Sequence, residues 1–133
     1  MYISFYFAFN KSTHDSEIHI AWVYGGINMI ADYYITAVHY SLNAKGNQVI
    51  QTVKVAKNDK STNRFSTPVN WSRQEVINAI DSNKKLFKTL YRKPDGLYRV
   101  GDEVMIYYVG YTKYIKTEGN NKECDNLGEI EEF

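Results

Sequence analysis

The chain has 133 residues, of which 44% are hydrophobic and 23% charged, and its formal net charge is +1. That length is one domain, and that composition supplies one compact core. The charge balance excludes the strongly basic footprint of a dedicated nucleic-acid binder, and no apolar run approaches the length of a membrane-spanning helix.

Residues 1–28 differ in character from the rest of the chain. They hold His14 and His19, a single Lys, and apolar clusters split by a polar stretch over 10–17. The opening MYISFYFAF has no basic segment before it and no small-residue cleavage site after it, so it does not read as a secretory signal. Gly25-Gly26 can be encoded by GGA-GGU, a ribosome-binding sequence two codons ahead of Met29. Two expectations stand side by side. Either translation begins at Met29, with 1–28 an upstream extension to a single domain over 29–133, or 1–28 forms an additional hairpin.

From Met29 onward the pattern is regular. Residues 34–42 (YITAVHYSL) are β-branched and aromatic, which predicts a strand. Asn43-Ala44-Lys45-Gly46-Asn47 predicts a turn, and 48–56 (QVIQTVKVA) a second strand of the same hairpin. Its alternation sets Val49, Gln51, Val53 and Val55 on one face and Ile50, Thr52 and Lys54 on the other. Residues 57–67 read as a polar loop with a short strand near Arg64-Phe65. Ser72-Arg73-Gln74-Glu75 has the form of a capping box, in which the Ser72 hydroxyl accepts from the Glu75 amide and the Glu75 carboxylate reaches back to the Ser72 amide. Trp71 and Val76 have the spacing of a hydrophobic staple, Val76, Ile77 and Ile80 form the apolar stripe, and Asn83 is the expected helix stop. Strands follow at 85–92, 103–109 and 111–117. Lys93-Pro94-Asp95-Gly96 forms a turn and Gly110 a tight corner or bulge. The tail over 118–133 is acidic and turn-rich. The fold class expected is α+β, a curved antiparallel sheet of five to six strands with one main helix packed on it.

No motif for catalysis or metal binding stands out. His14, His19 and His39 are dispersed, no local nucleophile motif occurs, and no Gly-rich phosphate loop is present. The lone cysteine, Cys124, lies between Glu123 and Asp125, neighbours that disfavour a thiolate, and one cysteine makes no intrachain disulfide, as suits a reducing cytoplasm. A non-enzymatic binding protein without metal or cofactor is therefore expected. The 12 Tyr, 6 Phe and 2 Trp suit either half-buried strands or stacking pockets.

Three regions carry candidate binding residues. The first, 63–73, holds Arg64, Phe65, Trp71 and Arg73. The second, 84–99, interleaves Lys84, Lys85, Lys88, Arg92, Lys93 and Arg99 with Phe87, Tyr91 and Tyr98. A cation beside a ring suits a phosphorylated ligand with a flat base, though lysines also guard strand edges. The third, 114–127, holds Lys116, Thr117, Asn120, Asn121, Asp125 and Asn126, which can face a ligand or fix a loop through their own backbone bonds.

Ile35-Thr36-Ala37-Val38, Ser72-Arg73-Gln74-Glu75-Val76-Ile77, and Lys116-Thr117 leading to Asp125-Asn126-Leu127 and Glu132-Phe133 together resemble the family called domain of unknown function 3892. Its members commonly carry Arg at the position of Lys116 and Pro at that of Glu131. The resemblance runs from Tyr34 to Phe133 and implies no function. A more distant similarity, in size, element order and residue inventory, is to phage anti-defence sponges of the Thoeris type. These withhold a cyclic ADP-ribose signal without converting it. That resemblance implies a cytoplasmic sponge, in the host cytoplasm if phage-encoded, for a nucleotide-type signal. The ligand-binding residues expected are Arg64, Phe65, Phe87, Tyr91, Arg92, Lys116, Thr117, Asn120 and Asp125, in a homo-oligomer of two or a higher even number of subunits. The alternative is a nucleic-acid- or protein-binding accessory module of a mobile element.

Overall fold

A computed structural model describes residues 31–59, 61 and 64–133, together with the backbone of Phe5–Phe9 (β1) and Ile18–Trp22 (β2). The expected start at Met29, and Asn63 of the first candidate region, lie outside the described residues. The remaining elements are β3 (Tyr33–Leu42), β4 (Gln48–Asp59), β5 (Arg64–Phe65), β6 (Val69–Ser72), α1 (Arg73–Asp81), β7 (Phe87–Arg92), β8 (Tyr98–Val109), β9 (Thr112–Lys116) and β10 (Glu131–Glu132).

The strands pair in the order β10-β3-β7-β8-β1-β2-β5-β4-β6, with β9 on β8. Because β3 also pairs with β4, this path returns to its own start, so the sheet curls round. Curvature and, among the described residues, a single helix match the α+β expectation, but five to six strands is an undercount. Among the described residues there are ten strands, eight of them four residues or longer. Nor is every pairing antiparallel. β3 runs parallel to β7 on one side and to the short β10 beyond it.

Two bulges explain why simple alternation misread the first hairpin. On β3, Ile35 pairs with Val55 and Ala37 with Lys54, leaving Thr36 as the extra residue. On β4, His39 pairs with Thr52 and Tyr40 with Ile50, leaving Gln51 over. A bulge reverses the side-chain phase beyond it. Ile50 therefore joins Val53 and Val55 in the buried cluster, while Val49 is only half-buried.

The core has two parts. Ile35, Val38, Ile50, Val53, Val55, Phe87, Val104 and Ile115 pack with Val76, Ile77 and Ala79 of α1. A separate cluster of Ala31, Tyr34, Ala56, Phe65 and Leu90 is edged by Leu86, Tyr98 and Val100. Each fully buried large aliphatic side chain contributes about 1.5–3 kcal/mol by leaving water.

The expected loop at 57–67 is shorter than read, because β4 continues to Asp59, and β6 leads into α1 with no loop between. Ser72 is both the last residue of β6 and the helix N-cap. Its hydroxyl accepts from the Glu75 amide at 3.2 Å, but the Glu75 carboxylate accepts from the Ser72 hydroxyl rather than from the Ser72 amide. Ser72 is paired with Thr52 in the sheet, so its backbone serves the strand. The helix ends at Asp81, and the left-handed residue after it is Lys84, at φ 52°, not Asn83.

Candidate functional site

At one end of the sheet the start of β3, the end of β4, β5 and the approach to β7 converge. Asp32 and Tyr33 both donate backbone amides to the Leu86 carbonyl, and the Asp32 carboxylate accepts from the Leu86 amide at 2.8 Å. The Asn58 amide donates to the Asp32 carbonyl, and its side-chain Nδ2 donates to the Ala31 carbonyl at 3.0 Å. The Ala31 amide in turn donates to the Tyr34 hydroxyl, and burial pushes that phenol above its usual pKa, partly offset by this bond. Across the cleft, Lys57 and Ser66 exchange two bonds, one through the Ser66 hydroxyl.

This corner surrounds a cleft of about 760 Å³. It is lined by Asp32, Tyr33, Lys57, Asn58, Asp59, Ser61, Arg64, Phe65, Ser66 and Lys85. The volume lies in the range of small-molecule sites. Three cations face two carboxylates, and the Tyr33 ring is held by stacking on Phe87 at 4.9 Å. Phe65 is buried edge-on against Tyr34. Asn58 is 6% exposed, and among the described residues no donor reaches its Oδ1.

The residues expected to bind ligand fall in five places. Arg64 and Phe65 line this cleft, joined by Lys85 from the second candidate region. Tyr91 and Thr117 line a smaller cavity of about 350 Å³, whose charged members Asp102, Glu118 and Glu129 are all acidic. Arg92 is exposed on its strand, away from both linings. Phe87 is fully buried between Tyr33 and Trp71, so its ring serves the core.

Lys116, Asn120 and Asp125 form a tie rather than an open surface. The Asp125 carboxylate is fully buried and accepts from the Ile50 and Ile115 amides and from Arg73 Nε and Nη2, at 2.7–3.1 Å. Arg73 Nη2 also donates to the Lys113 carbonyl. Lys116, equally buried, donates from Nζ to the Asn120 carbonyl, Asn120 Oδ1 and the Lys122 carbonyl. Of the two readings open for residues 114–127, the contacts are those of a fixed loop.

Asp32, Tyr33, Lys57, Asn58 and Asp59 entered no candidate region, and Ser66 fell within 63–73 without being singled out. The signal for them is weak, since each is one polar or aromatic residue at a strand end, and only the pairing of β3, β4, β5 and β7 brings them together. Among the described residues no helix is long and apolar enough to cross a membrane.

No curated protein and no solved structure matches the chain. The model of one family does, over residues 34–130, which takes in every element from β3 to β9 apart from the first residue of β3. The chain belongs to that family, described as Protein of unknown function (DUF3892).

Proposed function

We propose that the protein binds a small phosphorylated ligand of nucleotide type in the cleft between β3, β4 and β5, and holds it without converting it. The observation that carries this reading is the make-up of that one cleft. Lys57, Arg64 and Lys85 suit phosphate, and two aromatic residues, Tyr33 and Phe65, line the same cleft. The resemblance to signal sponges supports a cyclic or ADP-ribose-type nucleotide as the ligand and sequestration as the role. It also supports an even-numbered homo-oligomer.

Calorimetric titration with ADP-ribose, cyclic ADP-ribose and cyclic dinucleotides tests the reading. At least one should bind with a Kd of about 10 μM or tighter, near −7 kcal/mol, and should be recovered unchanged after the protein is denatured. Replacing Lys57 and Lys85 together by Glu should weaken that binding at least about tenfold, because like charges then face the phosphates. No binding by any of these nucleotides at tens of micromolar, on the order of 6 kcal/mol, sinks the proposal. Binding to long DNA that falls steeply with salt favours the accessory-module alternative.

A further inference from the structure

The outer edge of β3 is longer than the strands that cover it. Along its inner edge β3 pairs with β4 from Tyr33 to Leu42. Along the outer edge β7 runs parallel over Tyr33–Ile35, and β10 takes its place, also parallel, over Ala37 and Val38. Past Val38 no strand among the described residues pairs with that edge, and Leu42 at its end is 72% exposed. An open strand edge offers main-chain N–H and C=O groups to any extended segment that comes alongside.

β10 itself is lightly held. It is two residues long, and Glu131, Glu132 and Phe133 are all exposed. The Phe133 amide donates to the Val38 carbonyl at 3.0 Å. Two side chains also meet Phe133. His39 Nδ1 donates to its carbonyl, and Lys54 Nζ stands 4.8 Å from its ring centroid. A cavity of about 240 Å³, lined in part by Thr36, Lys54, Pro68, Tyr98, Glu131 and Phe133, remains beside this tail. Close-packed segments leave few such voids.

We propose that the outer edge of β3 over Ala37–Leu42 is a docking site for an extended segment of a partner protein, and that β10 is a built-in stopper filling its first part. The contacts of the stopper define the partner's chemistry. Its segment runs parallel to β3, is acidic where Glu131 and Glu132 lie, and sets an aromatic ring against Lys54 as Phe133 does. It then continues beside Tyr40, Ser41 and Leu42 with strand-forming residues, where β10 has stopped. That continuation adds ladder bonds the stopper cannot make. It offsets the advantage of tethering, which gives a covalently attached segment an effective concentration of roughly millimolar order. The site is separate from the cleft beside Tyr33 and does not depend on what that cleft binds.

The probe is a peptide with the sequence of residues 128–133 followed by Thr-Val-Thr, titrated into the full chain and followed by amide hydrogen exchange. In the wild type it should slow exchange within His39–Leu42 and speed it at the Phe133 amide, which loses its place on Val38. Phe133→Pro removes that amide and the ring together, so the stopper no longer competes and the peptide should bind at least about tenfold more tightly. The same peptide without Thr-Val-Thr should bind the wild type at least about tenfold more weakly than the long one. The wild-type exchange pattern needs no variant to fold. No change in it at about 1 mM peptide, roughly a 4 kcal/mol affinity scale, or changes confined to other strands, overturns the proposal. Equal binding of the peptide by the wild type and Phe133→Pro overturns the stopper.

Discussion

Asp125 carries more of this fold than any motif in the sequence announces. Both oxygens of its buried carboxylate accept two bonds each, from the Ile115 amide and Arg73 Nη2 on one and from the Ile50 amide and Arg73 Nε on the other. Asp125→Asn keeps the shape but turns one acceptor into a donor that faces two N–H groups. It also leaves the Arg73 guanidinium, whose side chain is 27% exposed, without its counter-charge. Breaking one side of a buried ion pair costs about 3–5 kcal/mol, and urea denaturation of the variant should show a loss of that size. Asp125 and Arg73 were both visible in the sequence as candidates, but as ligand contacts. What the sequence withheld was their meeting across 52 positions. A lone Asp in a polar tail has the same local signature whether it faces solvent, a ligand or an arginine. Lys116 and Asn120 give as little local signal, because a lysine whose partners are carbonyls leaves no charge pattern to read.

Among the elements, α1 was the most legible, because its start is written in adjacent residues. Its N-cap bond from the Glu75 amide to the Ser72 hydroxyl is the expected one. Ser72→Ala should lower stability by about 1 kcal/mol, read as a shifted urea midpoint at unchanged slope. The other end was less legible. The chain turns at Lys84 with φ 52°, and the Lys85 amide then closes onto the Ala79 carbonyl. A side chain in the left-handed region is unfavourable by about 1–2 kcal/mol, a penalty glycine lacks. Lys84→Gly should therefore raise the midpoint, by up to about 1 kcal/mol once the added freedom of the unfolded chain is counted. A lower midpoint would mean that the Lys84 side chain contributes more than its backbone geometry costs. Strands were legible in existence but not in extent. β8 begins at Tyr98 rather than near 103, and β6 and β10 are too short to show a period. The bulges at Thr36 and Gln51 are invisible to any two-residue rule, since they arise from pairing with a partner strand.

For the molecule as a whole, the ionisable groups set an alkaline limit. Burial pushes the phenols of Tyr34, Tyr40 and Tyr98 above their ordinary pKa. For Tyr40 a bond from the Leu127 amide offsets part of this, and for Tyr98 the charge of Arg92 does. The Lys113 ammonium is likewise raised, through its hydrogen bond to Asp81. The unfolded chain releases these protons first, near pH about 10, while the native chain still holds them. Proton loss then favours unfolding, so stability is full below about pH 10 and falls as pH rises beyond it. Thermal melts taken from about pH 8 to about pH 11 should show a level Tm followed by a decline, and a Tm that stays level throughout would contradict the assignment. Assembly is harder to anticipate than the sequence suggested. The hairpin of β8 and β9 carries large apolar and aromatic side chains on both faces, yet Tyr114 is 4% exposed and Gly119 lies against the Tyr107 ring. The loop after β9 thus covers part of the hairpin, while Met105, Tyr108 and Tyr111 stay exposed. The Asp125 tie also has a kinetic side. Ile50, Arg73 and Ile115 are fastened by a residue synthesised after all of them, and β3 gains its parallel neighbour β7 only after β4, β6 and α1 have been made. A nascent chain on the ribosome thus holds β3, β4 and α1 without the contacts that lock them, so consolidation waits for the tail. Refolding should accordingly be slow for a domain of this length, in the millisecond-to-second range of sheets with distant pairings.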